Sequence, residues 1–365
     1  MSVIVPARNE EASLRTCLES LLAQRETEAG SGVPRPSSAW PADDDKKARR
    51  VADSLRFEII VVDDGSTDRT RAIAESFPGV QVIAPGPLPP GWSGKNNAVA
   101  AGAREARGEW LLFTDADTVH RPGSLARALA EAEQHHADLL SYSPEQEVHG
   151  FWEKAIMPVI FAELARTYRP SLVSDPQSPA AAANGQYLLI TRVAYDAVGG
   201  HAAVAGSLLE DVALARALKA SGRKIFFRFG GDAVRTRMYR TLPQLVEGWT
   251  KNLVLLFPNP GRLALFRFFD FAAPMVGYAV AVAGWRAGDM YDAVAAASTT
   301  SLFMLFLLRR IRQAHFSWDA NLLAFLGLPL FSYLLLRSKL SYRRGQISWK
   351  GRTYAGESVP LAPIS

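Results

Sequence analysis

The sequence has one cysteine, Cys17, among 365 residues, and it lacks the signatures of several common protein classes. A single thiol excludes a disulfide-stabilised scaffold, a zinc finger and a cysteine-ligated iron–sulfur cluster. Neither a Gly-x-Gly-x-x-Gly sequence nor a Walker loop follows the first predicted strand, which argues against a dinucleotide-dependent oxidoreductase and a P-loop NTPase. No basic and apolar leader opens the sequence, so we expect the catalytic part to remain in the cytoplasm.

Charged residues make up only 21% of the chain, and their distribution is uneven. Residues 251–365 contain 13 basic and 5 acidic side chains, although the whole chain has a net charge of +5. These basic residues flank apolar runs and do not alternate with aromatic residues. We therefore expect an anionic membrane surface as the partner of this region, and no nucleic acid.

Short apolar runs alternate with helical patterns in the first third of the chain. Continuous apolar runs such as FEIIVV are typical of strands that are covered on both faces of a sheet. The predicted strands are 2–5, 57–62, 80–83 and 110–114, and the predicted helices are 10–23, 67–77 and 97–106. Strands and helices that alternate at this spacing predict an α/β fold with a mainly parallel sheet.

One segment, residues 25–56, interrupts this alternation. It contains Gly, Pro and Ser residues followed by a run of charges, and it has no sustained apolar period. Such a composition is typical of surface loops. We predict a mobile surface insertion with a short helix near 46–55, and a lid over the site is the alternative.

Three uncharged apolar runs lie in the C-terminal third, at 271–285, 293–308 and 320–336, with 15, 16 and 17 residues. Each is shorter than the roughly 18–20 residues of an unambiguous membrane-spanning helix, but Trp and Arg side chains flank the runs, as is typical of membrane interfaces. We predict a membrane-associated helical region over 256–340 and a basic cytoplasmic tail over 341–365. Buried helices of a soluble domain are the alternative. The third run contains Gly327 and Pro329, and we expect it to dip into the membrane and return, or to lie in the interface.

Acidic residues follow two of the predicted strands, at the edge where ligands bind in open α/β sheets. Asp115 and Asp117 lie on the same side of an extended chain, so both can bind one Mg²⁺ or Mn²⁺ ion. Such an ion would neutralise charge on a leaving diphosphate. Asp63 and Asp64 can accept hydrogen bonds from a base or a ribose, and a turn that caps the next helix is the alternative.

Three further charged residues complete the candidate site. Lys95 follows a Gly- and Pro-rich loop and precedes a helix, where its ammonium group can bind a phosphate. Glu210 and Asp211 begin another predicted helix and can supply a general base for an acceptor hydroxyl group. Compensation of the helix dipole by two N-terminal carboxylates is the alternative explanation.

The sequence resembles glycosyltransferase family 2, the inverting enzymes of GT-A fold, in the order of six motifs. The motifs are PARNE at 6–10, VVDDGSTD at 61–68, GKNNAVAAG at 94–102, TDAD at 114–117, GQYLLITR at 185–192 and Glu210-Asp211. The GPLPPGWSGK loop and the GWTKN at 248–252 resemble members that act on hopanoid and carotenoid lipids. The stretch ISWKGRTY at 347–354 is similar to the end of ceramide glucosyltransferases.

The resemblance covers about residues 2–255 and implies a GT-A domain over 1–255, with helices on both faces of the sheet, followed by membrane helices. It also implies roles for individual residues. The expected nucleotide-sugar site consists of Pro6, Ala7, Glu10, Asp63, Asp64, Lys95 and Asp115. Asp117, with Asp115, is expected to bind the metal, and Asp211, supported by Glu210, is the expected catalytic base. The expected acceptor or phosphate region consists of Asn184, Gly185, Trp249, Trp349 and Arg352.

These features predict a membrane-associated inverting glycosyltransferase. It would move a hexose from a nucleoside diphosphate, with UDP as the expected nucleotide, to a lipid acceptor such as an isoprenoid, hopanoid or carotenoid. The catalytic domain would face the cytoplasm at the cytoplasmic membrane. The alternatives are a polyprenyl-phosphate glycosyltransferase, whose acceptor needs no base, and a catalytically inactive nucleotide-binding membrane adaptor.

Overall fold

The structure is a computed structural model that describes residues 1–26, 48, 51, 55–349 and 351–354. These residues form two compact units. The first contains Met1–Glu147 and Tyr168–Arg237, and the second contains Val148–Thr167 and the chain from Met238 onward. The predicted insertion at 25–56, with its short helix and its alternative as a lid, lies almost entirely outside the described residues.

A mainly parallel sheet forms the centre of the first unit, as predicted. The strands of the unit are β1 (Ser2–Ala7), β2 (Glu58–Asp63), β3 (Val80–Ile83), β4 (Trp110–Phe113), β5 (Thr118–His120), β6 (Leu139–Ser143), β7 (Glu145–Gln146), β8 (Leu188–Thr191), β9 (Ile225–Phe229) and β10 (Val234–Thr236). In the described chain the large sheet has the order β3-β2-β1-β4-β8-β6-β9, and β5, β10 and β7 form a smaller one. Within the large sheet, β8 is antiparallel to both of its neighbours and the other pairs are parallel.

The two units contain the following α-helices, in chain order. They are α1 (Leu14–Glu26), α2 (Thr70–Glu75), α3 (Gly94–Glu105), α4 (Ser124–Gln134), α5 (Phe151–Thr167), α6 (Pro170–Ser174), α7 (Arg192–Ala197), α8 (Glu210–Ala220), α9 (Leu242–Leu256), α10 (Pro260–Ala287), α11 (Met290–Ile311) and α12 (Trp318–Arg343). Helix α1 begins after residue 10, because residues 11–13 form a turn in which the Ser13 and Leu14 N–H groups donate to the Glu10 carbonyl oxygen at 3.0 Å and 2.9 Å. Helix α3 begins before residue 97 because Ser93 Oγ accepts from the Asn96 N–H at 3.1 Å and caps it.

Helices cover both faces of the large sheet. Val3 and Val5 of β1 are buried in one cluster with Leu14 of α1. Ile4 points to the opposite face, because successive strand residues alternate. There a Cβ on Gly102 of α3 would lie 2.5 Å from Ile4 Cγ2, so a glycine at this position lets α3 lie directly on the sheet.

The second unit is helical and includes the hairpin β11 (Ile347–Trp349) and β12 (Arg352–Tyr354). Its core combines buried side chains of α5, α9 and α12, such as Ile160, Leu253 and Phe331. The chain therefore divides differently from the boundary predicted at residue 255. Helices α5 and α9 belong to the second unit because their buried apolar side chains form part of this core.

Three helices of the second unit are long and apolar enough to cross a membrane: Pro260–Ala287, Met290–Ala314 and Trp318–Arg343, with 28, 25 and 26 residues. In their most apolar stretches, 11%, 17% and 50% of the residues are buried, so α12 is the most enclosed by protein. Helix α12 continues through Gly327 and Pro329, so the expectation that this run dips and returns is wrong. A Cβ on Gly327 would collide with the backbone of Ala155 in α5, so the glycine permits close packing instead of a break. That α12 lies in a membrane interface stays a prediction.

Five charged side chains form a network between α5, α10 and α11. Glu163 Oε1 lies 3.1 Å from Arg267 Nη1, and these side chains are 7% and 8% exposed. Asp270 Oδ2 lies 2.9 Å from Arg267 Nη1 and 2.8 Å from Arg310 Nη2. Arg166 Nη1 also lies 3.8 Å from Glu163 Oε2, so the two acids face three bases, and these opposite charges offset part of the cost of removing each charge from water.

Candidate active site

A lysine and two carboxylates, which we call the acid–lysine cluster (Lys95, Asp115, Glu210), join three elements of the first unit. Lys95 lies in the first turn of α3, Asp115 follows β4 after one residue, and Glu210 begins α8. The Lys95 Nζ lies 2.8 Å from Asp115 Oδ1 and 2.8 Å from Glu210 Oε1. Burial alone would lower the pKa of Lys95, but the two carboxylates raise the pKa well above its ordinary value. The ammonium group is therefore charged at neutral pH.

Asp211 lies next to this cluster with a carboxylate that two backbone groups orient. Its Oδ2 accepts from the Gly185 N–H at 2.8 Å, and its Oδ1 accepts from the Val212 N–H at 2.8 Å. Burial, followed by the negative charge of Glu210, raises the pKa of Asp211 to about 6, although Lys95 and the two N–H groups act in the opposite direction. A carboxyl group that titrates this close to neutrality can accept a proton from an acceptor hydroxyl group.

Gly185 lies among all of these charged groups. A Cβ at this position would lie 3.1 Å from Lys95 Nζ, 3.3 Å from Glu210 Oε1 and 3.5 Å from Asp211 Oδ2. The neighbouring Asn184 turns the chain here, since its Oδ1 accepts from the Gln186 N–H at 3.0 Å. A side chain at 185 would crowd the carboxylates, so the glycine is needed for their arrangement.

The loop that carries Asp115 and Asp117 is fixed by hydroxyl groups. Thr118 Oγ1 donates to the Asp115 carbonyl oxygen at 2.7 Å, and Thr236 Oγ1 donates to the Asp117 carbonyl oxygen at 3.1 Å. Thr114 Oγ1, just before the loop, donates to the Gln186 carbonyl oxygen at 2.8 Å. The backbone carbonyl oxygens of both aspartates are therefore held by side-chain hydroxyl groups.

The ends of β1 and β2 bring together Ala7, Asp63 and Asp64. The Asp64 N–H donates to the Ala7 carbonyl oxygen at 2.9 Å, and Arg8 Nη1 donates to the Asp64 carbonyl oxygen at 2.7 Å. Asp63 Oδ1 accepts from the Ser66 N–H at 3.1 Å and closes a turn, but it does not cap α2, which follows Arg69 without a side-chain cap. Both aspartates are buried, and Pro6 lies opposite Val62 in the strand register.

Several residues at this site were not predicted from the sequence. Asn9 connects the two strand ends, because its N–H donates to Ser66 Oγ at 3.1 Å and its Oδ1 accepts from the Thr67 N–H at 2.8 Å. His201 bonds through Nδ1 to Tyr195 Oη at 3.0 Å, and burial lowers the pKa of His201 to about 4. Asn9 lies inside the PARNE motif and could have been found there. No local pattern points to His201.

Three residues of the predicted acceptor or phosphate region belong to the second unit. Trp249 is 2% exposed and makes edge-to-face contacts with Phe161 and Tyr239. Lys251 Nζ lies 4.9 Å from the centre of the Trp349 ring, and Arg352 pairs with Trp349 in the β11–β12 hairpin. Their roles toward an acceptor stay predictions.

Comparisons with known proteins identify similar sequences and structures. The model of Glycosyl transferase family 2 matches residues 2–181. The chain is 26% identical over 371 residues to 4,4'-diaponeurosporenoate glycosyltransferase of Staphylococcus aureus (strain USA300), covering 97% of this chain and 88% of that protein. Among solved structures, it is similar to the mannosyltransferase PcManGT from Pyrobaculum calidifontis in complex with GDP-Man and Mn²⁺, with 16% identity, a TM-score of 0.48, and coverage of 93% and 86% of the two chains.

Proposed function

Since the chain belongs to glycosyltransferase family 2, we propose that it is an inverting enzyme that transfers a hexose from a UDP-sugar to a lipid of the isoprenoid class. The observation that carries the proposal is the acid–lysine cluster together with Asp211, assembled around Gly185. The name of the Staphylococcus aureus relative supports an isoprenoid acceptor.

Asp211 is the proposed general base. It removes the proton of an acceptor hydroxyl group while the oxygen attacks the anomeric carbon of the sugar, and the nucleoside diphosphate leaves from the opposite side. Glu210 is engaged by Lys95 at 2.8 Å, while its negative charge raises the pKa of Asp211, so Asp211 is the better proton acceptor. Lys95 also provides positive charge for the diphosphate.

The nucleotide is proposed to bind at the ends of β1 and β2, where Asp63, Asp64 and Glu10 supply acceptors for the base or ribose. The Glu10 N–H bond to Thr70 and the Asn9 bonds to the next loop hold this edge in place. Preorganised acceptors lower the entropy cost of binding a flexible nucleotide.

A divalent ion fits the chemistry of Asp115 and Asp117, because carboxylates are hard oxygen ligands suited to Mg²⁺ or Mn²⁺. In the described part of the chain, no group of three or more His, Cys, Asp or Glu residues is arranged to hold a metal. Two carboxylates leave positions for water and for diphosphate oxygens. When bound, the ion would neutralise charge on the leaving group.

Helices α10 and α11 are proposed to anchor the enzyme in the cytoplasmic membrane. They expose large apolar side chains, such as Val276 (62%), Trp285 (69%) and Phe306 (62%), that water would solvate poorly. Arg309 and Arg310 end α11, and positive loops tend to stay on the cytoplasmic side. This orientation would give the catalytic unit access to cytoplasmic nucleotide-sugars.

The test is a transfer assay with enzyme in lipid nanodiscs. Radiolabelled UDP-glucose, UDP-N-acetylglucosamine and GDP-mannose are offered separately, with a total isoprenoid lipid extract, with polyprenyl phosphate or without lipid. We expect label in the organic phase only with a UDP-sugar and the isoprenoid extract, and about 10²–10⁴ less with Asp211→Asn.

Two outcomes would contradict the proposal. Transfer to polyprenyl phosphate that survives in Asp211→Asn would favour an acceptor that is already anionic. UDP binding without transfer to any lipid would favour the inactive adaptor.

A further inference from the structure

Asn96, next to Lys95 in the first turn of α3, binds the backbone segment that precedes Glu210 and Asp211. Its side chain is completely buried. Nδ2 lies within hydrogen-bond distance of the carbonyl oxygens of Val204 (2.8 Å), Ala205 (2.8 Å) and Ser207 (3.0 Å), so its two N–H groups are shared among three acceptors. One amide group therefore holds a segment that lies more than 100 residues away in the sequence.

The same helical turn makes a second backbone contact with this segment. The Ser93 N–H donates to the Ala205 carbonyl oxygen at 2.8 Å, while Ser93 Oγ accepts from the Asn96 N–H at 3.1 Å. The held segment runs directly into α8, and the residue before that helix, Leu209, provides no side-chain cap. The contacts with α3 therefore determine where α8 begins.

The chemistry of this contact requires an amide. Three carbonyl oxygens converge on one point, and each carries a partial negative charge, so they repel one another unless a donor lies between them. An amide NH₂ provides that donor without a net charge. A carboxylate of the same shape would add a negative charge to three acceptors.

We propose that Asn96 is a positioning residue for the transfer reaction. By fixing residues 204–207 it places Glu210 against Lys95, which leaves Asp211 to act alone on the acceptor. Lys95 thus binds the side chain of Glu210, at the start of α8, and Asn96 binds the backbone just before that helix. This inference rests on the proposed function, because it concerns the base of that reaction.

The test separates kcat from binding in three variants. Asn96→Ala removes the donor, and Asn96→Asp replaces it with a charged acceptor of the same shape. The matched control is Asn97→Ala, since Asn97 is a buried amide on the same turn whose Nδ2 makes no hydrogen bond to any residue that the structure describes. We expect kcat to fall by about 10²-fold in Asn96→Ala, the loss that a displacement of about 1 Å can cause, and further in Asn96→Asp. KM for the donor and the Kd for UDP should stay within about twofold of the wild type, because the proposed base and ribose contacts lie at the ends of β1 and β2 and Lys95, which would meet the diphosphate, is unchanged.

The outcomes distinguish this inference from the proposed function. A kcat loss in Asn96→Ala no larger than in Asn97→Ala would overturn the positioning role, as would an equal loss of UDP affinity. If Asn96→Asp fails to fold, Asn96→Ser keeps one O–H donor and should lose less activity than Asn96→Ala; the reverse order would also overturn the role. Failure of the proposed function would instead appear in the wild type, as UDP binding without lipid-dependent transfer.

Discussion

Asp211→Asn should make the enzyme slower and more stable at the same time. The variant lacks the proton acceptor, so transfer should fall by about 10²–10⁴. It also removes a carboxyl group whose ionised form is disfavoured by burial and by the charge of Glu210, as the raised pKa of Asp211 shows. A residue that only supports the fold would not produce these opposite effects.

The size of the stability gain follows from the pKa of Asp211, which rises from an ordinary 3.8 to about 6. Each pKa unit corresponds to about 1.4 kcal/mol, so the ionised carboxylate costs roughly 3 kcal/mol at neutral pH. The folded protein binds the proton more tightly than the unfolded chain, so stability falls as the pH rises from about 4 to about 6. Asparagine cannot accept from both the Gly185 and Val212 N–H groups, and this loss costs about 1 kcal/mol. The net gain above pH 6 is therefore about 2 kcal/mol.

Thermal unfolding of wild type and Asp211→Asn, in one detergent and between about pH 4 and pH 8, measures this gain. The variant should be more stable above about pH 6, and the advantage should disappear near pH 4. Asp196→Asn is the control, because Asp196 is an exposed aspartate on α7 of the same unit. Equal or lower stability of Asp211→Asn at pH 7–8 would refute the raised pKa and, with it, the physical reason to choose Asp211 as the base.

Three other predictions test the remaining parts of the molecule. Asp117→Ala should abolish metal-dependent UDP binding in calorimetry with a normal circular dichroism spectrum; undiminished binding would contradict the metal assignment. Gly185→Ala should lower transfer about tenfold or more, because its Cβ would lie 3.1 Å from Lys95 Nζ; a folded variant with wild-type rates would count against this packing. In a Cys17→Ser background, an impermeant thiol reagent on intact cells should label Ala287→Cys but not Arg344→Cys, since basic segments tend to stay in the cytoplasm. Labelling of Arg344→Cys would exclude that topology, and permeabilised cells control for access.

The strands of the first unit could be predicted from the sequence because their signal is local. The run 57–62 is apolar except at Glu58, and in the structure β2 has strands on both sides, with burial from Ile59 to Asp63. The ends of helices were less predictable. Residues 11–13 form a turn in the structure, so helix α1 starts at Leu14 and not at the predicted residue 10.

The residues of the site could be predicted individually, but most of their partners could not. Strand ends and the family motifs identify Lys95, Asp115, Glu210 and Asp211 without showing that Lys95 pairs with two of the acids. Gly327 and Pro329 look like helix breakers in sequence, yet α12 passes through both. Gly327 lets α12 pack closely against Ala155, and no local sequence pattern predicts this tertiary contact.

The charge network of the second unit has a consequence for how the protein is made. Glu163 precedes its partner Arg267 by 104 residues, so the acid leaves the ribosome first. Breaking a buried pair by removing one partner is strongly destabilising, so Arg267 and Asp270 can reach their final places only beside an α5 that already carries Glu163. We therefore expect the helical unit to assemble in chain order, with α5 as the template on which the hairpin of α10 and α11 is completed.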